Sequence, residues 1–496
     1  MDLLQGFHAA LLPMNIFYVI MGGFLGTVVG MLPGLGPSAG VAVLIPLTFG
    51  MNPASALILM SSVYYGAMYG GSRSSILLNT PGDAAAIASC FDGYPLAKKG
   101  MGGQALAISA IASLIGGMIA TVGFIFFIRP LANFALDFGS AEYFLLYLFA
   151  ILTITALAKG SMVRGIISMT IGLFISTIGI DIQTSVYRFT FGIPNFYNGL
   201  DFVVIVIGIY AIGEVLYNFL TIDVTKAVKG AEVGRVWINK DEWRRSRAPI
   251  FRGGLLGFIV GVLPAGGATI ASMMSYSMEK QLSKHPEEFG KGAIEGLAAP
   301  EAANNAASVG GLIPLLAMGI PGTATTAVMM GAFVMIGLKP GPLLFQQNQG
   351  MVATLVDSMF IGNAFLVILN LVLVKLLVKV LDIPSGILYP IILALSFVGA
   401  YTLNFSTVDF YLLVLFGVVG LFMKLLQYPI APMILPLVVG KDMEQNFRRT
   451  VSGDHGNIGA FFDSPISIAL VVMIVATLLS PLITGWIGKR RKVTKS

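Results

Sequence analysis

Twice in this chain a hydrophobic helix runs into a proline set among glycines, and the two places are copies of one another. The first reads Gly22-Gly-Phe-Leu-Gly-Thr-Val-Val-Gly-Met-Leu-Pro-Gly-Leu-Gly36 and the second Gly253-Gly-Leu-Leu-Gly-Phe-Ile-Val-Gly-Val-Leu-Pro-Ala-Gly-Gly267, with nine of fifteen positions identical at an offset of 231. A second echo follows: residues 65–82, ending Asn79-Thr-Pro-Gly82, align with residues 305–322, ending Gly319-Ile-Pro-Gly322, at an offset of 240. Proline removes a backbone donor and glycine admits left-handed dihedrals, so a helix reaching such a segment has to open. In apolar surroundings the freed backbone groups persist only where protein or a water-filled site receives them. The chain is therefore a duplicated membrane unit, and its paired interruptions point to a ligand site of the kind secondary transporters build.

Composition fixes the solvent. Of 496 residues 56% are hydrophobic and 11% charged, with a mean hydropathy of +0.86, too little polar material to cover a soluble globule of this length. Apolar runs of about 20 residues suit helices in a bilayer core, and the alternation of an outer-membrane barrel is missing. The expected fold is an all-α polytopic integral membrane protein of about 12 transmembrane helices, in two inverted repeats with broken helices and re-entrant segments. Spans are expected near 12–33, 53–72, 103–128, 141–158, 161–180 and 199–220, with short broken segments near 37–50 and 74–90. Further spans are expected near 250–275, 293–320, 322–338, 350–380, 384–402, 407–425 and 464–487, with a broken piece near 429–440. The division is a first membrane repeat 1–222, a basic cytoplasmic linker 223–249, a second membrane repeat 250–488 and a basic cytoplasmic tail 489–496.

The net charge of +6 records topology. Its basic residues gather in the linker (Lys226, Lys229, Arg235, Lys240, Arg244, Arg245, Arg247, Arg252) and in the tail Lys489-Arg-Arg-Lys-Val-Thr-Lys495, both flanking spans, as the positive-inside rule requires of cytoplasmic segments. Nucleic acid is not an expected partner. Residues 1–15 carry no Lys or Arg, which favours an external start and hence inverted halves, provided one broken segment before the linker crosses. No cleavable signal is read at the N-terminus. The single cysteine, Cys90, excludes an intramolecular disulfide, and His8, His285 and His455 show no ligand spacing, so neither a transition metal nor a cofactor is expected. Gly34-Leu-Gly36 lacks the strand and the third glycine of a nucleotide fingerprint.

The breaks carry the candidate site. At Pro33, Gly34, Gly36 and Ser38, and again at Gly266, Gly267 and Thr269, a restarting helix aims its amides and positive dipole end at the gap, suiting a carboxylate, while exposed carbonyls suit Na+. A kink for close helix packing is the competing reading. Asn79, Thr80, Pro81, Gly82 and Asp83, and Pro321, Gly322, Thr323 and Thr325, set hydroxyl, amide and carboxylate groups beside the second pair of breaks, where a plain Pro-Gly turn is the alternative. Arg73 either contacts a substrate carboxylate or pairs with Asp83, Asp92 or another buried acid. Glu301, with Asn304 and Asn305, either completes a cation and substrate site or belongs to a helix cap. Candidate cation ligands are thus Ser38, Thr80, Asp83, Thr269, Glu301, Thr323 and Thr325. Asp357 and Glu214 are lone acids in apolar runs, read as interfacial or satisfied.

Six motifs in order, Gly-Met-Leu-Pro-Gly-Leu-Gly-Pro (30–37), Tyr-Tyr-Gly-Ala-Met-Tyr-Gly-Gly-Ser (64–72), Asn-Thr-Pro-Gly (79–82), Asp-Gly-Tyr-Pro-Leu-Ala-Lys-Lys-Gly (92–100), Ala-Pro-Glu-Ala-Ala-Asn-Asn-Ala-Ala (299–307) and Gly-Ile-Pro-Gly-Thr (319–323), resemble the large membrane permease subunit of the tripartite tricarboxylate transporters. The resemblance covers about residues 10–460. It implies a multi-pass protein of the bacterial inner membrane, not an enzyme, working with a small membrane subunit and a periplasmic solute-binding protein to take up an organic carboxylate. It implies an ion gradient as driving force, Na+ or else H+, and no nucleotide hydrolysis; self-association as a homodimer is left open. Arg73 falls where family members are expected to vary, which makes it a candidate for substrate choice.

Overall fold

The computed structural model describes residues 3–32, 35–158, 161–181, 183–221, 233–263, 266–381 and 385–493. Helices dominate them, with one short antiparallel strand pair, Gly179–Ile180 and Tyr187–Arg188. Among the described residues six helical stretches are long and apolar enough to cross a bilayer: Pro13–Met31, Ile87–Leu136, Phe202–Thr221, Gln349–Val372, Gly386–Asn404 and Val408–Leu425. Among the shorter apolar helices are Gly36–Thr48, Ser140–Ala156, Met162–Ser176, Ala324–Met335 and Pro465–Leu479.

Two compact units form, and neither is one of the sequence halves. The larger takes residues 1–132 and 203–421, the smaller 133–202 and 422–496. A repeat describes ancestry and a unit describes contacts, so the two divisions need not coincide.

The larger unit is built on two helical hairpins. Helix Pro13–Met31 opens at Leu32, whose backbone is extended (φ −79°, ψ 114°), and helix Gly36–Leu44 leads back, so that a Cβ on Gly40 would lie 2.9 Å from Val29 Cγ1. Helix Lys240–Val262 opens at Leu263 in the same conformation (φ −73°, ψ 132°), and helix Gly267–Leu282 returns, so that the Arg252 guanidinium reaches both Glu279 oxygens at 2.7 Å. Gly36 (φ 62°) and Gly267 (φ 58°) supply the left-handed residue at equivalent points. The sequence placed a span near 250–275 after a linker ending at 249. The helix instead starts at Lys240, capped by Asn239 and Glu242 in a reciprocal capping box, because a strong N-terminal signal outweighs a basic composition.

Against each hairpin packs a long polar helix, Pro53–Leu78 in the first half and Ile294–Gly310 in the second, and the packing register repeats. A Cβ on Gly22, Gly26 or Gly30 would lie 2.7, 2.3 or 2.2 Å from the carbonyl oxygens of Leu59, Val63 and Ala67. On Gly253, Gly257 or Gly261 it would meet those of Ala299, Ala303 and Ala307 at 2.3, 2.3 and 2.6 Å. The offsets are 231 on the hairpin and 240 on its partner, those of the sequence echoes. Small residues at four-residue spacing let helix backbones touch. Helix Pro53–Leu78 then ends in the left-handed Asn79 (φ 55°), and the short helix Leu312–Met318, which follows Ile294–Gly310, ends in the left-handed Gly319 (φ 71°).

The smaller unit packs helices Ser140–Leu157, Met162–Ser176 and Ala431–Gly453 together with the start of Pro465–Val493. Arg188 forks onto Glu444 at 2.8 and 3.2 Å, and Arg448 meets Asp181 at 3.0 Å. The Gln183 and Thr184 amides together with Arg448 hold the Asp181 carboxyl down to about 2.

Candidate functional site

The hairpin ends and the breaks of the polar helices converge within the larger unit. The Ser38 hydroxyl, on the return helix of the first hairpin, lies 2.9 Å from the Thr325 hydroxyl at the start of helix Ala324–Met335, beyond the second-half break. Ser38 also bonds the Tyr210 side chain. A Cβ on Gly36 would lie 3.6 Å from Asp83 Cβ, and one on Gly267 3.4 Å from Thr323 Cγ2, so each hairpin end faces the break of its own half at equivalent positions. The Tyr64 hydroxyl bonds Thr323 and lies within electrostatic reach of Asp83. Thr323 caps helix Ala324–Met335, accepting the Thr326 amide at 3.1 Å.

Local chemistry explains each part. Gly82 has to be glycine because its Cα rests on the Gly30 carbonyl, 2.0 Å from where a Cβ would stand, which seats the first break on the first hairpin. Asp83 Oδ1 accepts the Ala86 amide at 2.9 Å and starts helix Ile87–Leu96. Asn79 and Thr80 are exposed; Ser38, Pro81, Asp83, Thr269 and Thr323 are half-buried. Gly266, Pro321, Gly322 and Thr325 are buried, packed beneath them. The result is a solvent-reaching surface of hydroxyls, one amide and one carboxylate, served by the N-termini of four helices. Pro33, Gly34, Pro264 and Ala265 lie outside the described residues.

Arg73, Glu301 and Asn305 form a separate, sealed polar layer, and Asn304 is as deeply buried, each at most 1% exposed. Glu301 accepts the hydroxyls of Ser72 at 2.7 Å, Ser109 at 2.8 Å and Ser113 at 3.3 Å, and that of Ser89. Arg73 lies inside the unbroken helix Pro53–Leu78 rather than between segments. Its Nη1 donates to the Tyr69 carbonyl at 2.7 Å and to Ser109 Oγ at 3.4 Å, so a serine links it to Glu301. Asn305 Nδ2 donates to Ser113 at 2.7 Å, whereas neither polar atom of the Asn304 side chain finds a partner among the described residues. Asp92 Oδ1 collects the amides of Gly290, Gly292 and Ala293 at 2.7–2.9 Å, fastening helix Ile87–Leu96 to the start of Ile294–Gly310.

Sequence reasoning passed over Tyr64, Tyr210 and the four serines. Tyr64 carries a signal: at the offset of 240 it is the counterpart of Asn304.

Comparison with known sequences agrees over most of the chain. The sequence model of the Tripartite tricarboxylate transporter TctA family matches residues 16–435. An uncharacterized 52.8 kDa protein in the TAR-I ttuC' 3'region of Agrobacterium vitis is 41% identical over 497 residues, covering 99% of both chains. An uncharacterized protein in the TAR-II ttuC' 3'region of the same organism is 40% identical over 237 residues, 48% of this chain and 98% of its own length. No solved structure matches.

Proposed function

The chain belongs to the tripartite tricarboxylate transporter TctA family, and from that premise we propose that it is the permease subunit of a binding-protein-dependent secondary transporter in the bacterial inner membrane. It imports tricarboxylates or related organic carboxylates, receives them from a periplasmic solute-binding protein, works beside a small membrane subunit, and is driven by a Na+ or H+ gradient. The observation that carries this reading is the Ser38–Thr325 contact, which joins the end of one half's hairpin to the break of the other half. Half-buried hydroxyls and free helix starts at such a junction suit an oxygen-rich anion and its accompanying cation.

Inverted halves fit the charges. Arg245 bonds Glu288 and Glu295, so helix Lys240–Val262 starts, and its return helix ends, at the basic linker face. Lys98 and Lys99 follow helix Ile87–Leu96, and Gly103 touches the carbonyls of Val233 and Arg235, which supports reading the end of the first half's broken helix as cytoplasmic together with the linker. The second hairpin then dips in from the cytoplasm and the first from outside.

The test is uptake of labelled carboxylates into proteoliposomes containing the complete tripartite system, with and without an inward Na+ or H+ gradient. Accumulation that requires one of the gradients is expected, and in that system Ser38→Ala and Thr325→Ala should lower uptake non-additively. Equilibration without a gradient would indicate a passive channel, and no uptake of any carboxylate would overturn the substrate class.

A further inference from the structure

The two breaks match residue for residue but differ in chemistry. Where Gly267 of the second hairpin faces the hydroxyl-bearing Thr323, Gly36 of the first faces the carboxylate-bearing Asp83. The polar helices differ as well: Tyr64 in the first half occupies the place of Asn304 in the second. The Tyr64 hydroxyl crosses to Thr323, and Thr323 is further engaged by Thr326, so the second break is closed on itself. Applied to Asn304, the relation that sends Tyr64 to the second break sends Asn304 to the first. In the structure Asn304 is 1% exposed, and its amide nitrogen and oxygen both lack a partner among the described residues. A buried side-chain amide without partners is destabilising, and such a group persists where a ligand satisfies it.

We propose that the first break is a sodium site in which the Asp83 carboxylate and the Asn304 side-chain oxygen are the protein's side-chain ligands, completed by carbonyls of the opened 79–82 backbone. Carboxylate, amide and carbonyl oxygens are the donors a hard cation takes, and a backbone opened at membrane depth supplies them without helical competition. The second break, which has no carboxylate, keeps its helix start for the substrate anion. The duplicated site has thus divided its labour, with the cation in the first half and the anion in the second. This assignment rests on the transport reading above.

The experiment is initial uptake at saturating carboxylate as a function of external Na+, in proteoliposomes of the complete system with K+ as the balancing ion. Loss of metal-site groups, even outside the ligand shell, weakens binding about 10–100-fold, so Asn304→Ala should raise the half-activating Na+ concentration about tenfold or more. Asp83→Asn should remove Na+ activation, and in Asn304→Ala the substrate KM at saturating Na+ should stay unchanged. Thermal denaturation of the purified chain provides the second readout: Na+ should raise the wild-type midpoint over K+, and both variants should lose that increment while keeping the midpoint in K+. Wild-type uptake driven by Na+ with unaltered Na+ activation in both variants would overturn the site while leaving the transport reading intact. Wild-type uptake driven by H+ alone would overturn sodium as its ligand, and uptake independent of both gradients would remove the transport reading itself.

Discussion

Replacing Gly26 or Gly257 by alanine tests the packing that holds each hairpin to its polar helix. In either case the new Cβ would stand 2.3 Å from a carbonyl oxygen on the facing helix, Val63 or Ala303, against the 3.4 Å at which ordinary contact begins. The helices therefore have to part by about 1 Å along a seam where the neighbouring glycines are equally close. Overpacking of this sort costs about 1–3 kcal/mol. Alanine also gains about 1 kcal/mol of helix propensity, which Gly350→Ala, with nothing within 4 Å of its Cβ, measures by itself. The difference between each seam variant and Gly350→Ala thus isolates the overpacking. Thermal or denaturant unfolding of the three purified variants in detergent is the assay, and the two seam variants should fall below the control by similar amounts. Seam variants as stable as Gly350→Ala would refute the close-contact argument, and a loss confined to one would refute the equivalence of the two registers.

Breaking the sealed charges should be costly. Arg73→Met or Glu301→Gln alone is expected to destabilise by about 3–5 kcal/mol, and the double variant by clearly less than the sum, measured as unfolding free energies in a double-mutant cycle. Asp92→Ala should cost about 3 kcal/mol by leaving three amides at the start of helix Ile294–Gly310 without their acceptor, while Asp92→Asn retains part of that, again read by unfolding. The depressed Asp181 carboxyl gives a signed pH dependence. Its contribution is complete above the ordinary aspartate range near 3.8 and fades only as pH falls toward about 2, so acid unfolding of Arg448→Ala and of the wild-type chain should converge at the bottom of that window. A gap that persists unchanged below pH 2 would contradict it.

Proline and glycine made the breaks legible, and the structure places left-handed residues at Gly36, Gly267 and Gly319 as such sequences dictate. The return of the chain after Pro33 was legible too, because the apolar run at 37–50 is too short to cross. The start of the second hairpin was not, since a capping box at Asn239 is a signal of a few residues set in a segment whose charge argued for a linker. Helices Pro53–Leu78 and Ile294–Gly310 were legible as apolar segments near 53–72 and 293–320, whereas the burial of their serines, asparagines and single arginine within protein was not. The sealed layer around Glu301 unites serines from positions 72, 89, 109 and 113, a proximity that no local pattern encodes. Tyr210 is another such case, reaching Ser38 from the far end of the first half.

Those two polar helices bear on how the protein is made. Neither is among the stretches apolar enough to cross by itself, so a translocon partitioning one segment at a time into lipid would not release them there. In the first half, however, the glycine-seamed hairpin helix Pro13–Met31 is itself apolar enough to cross and is synthesised ahead of Pro53–Leu78. The nascent hairpin is thus already present as a template when its polar partner emerges, and the two are integrated as a pair. A chain that lost the hairpin would be expected to lose the following helix to the aqueous side, turning a packing defect into an error of topology.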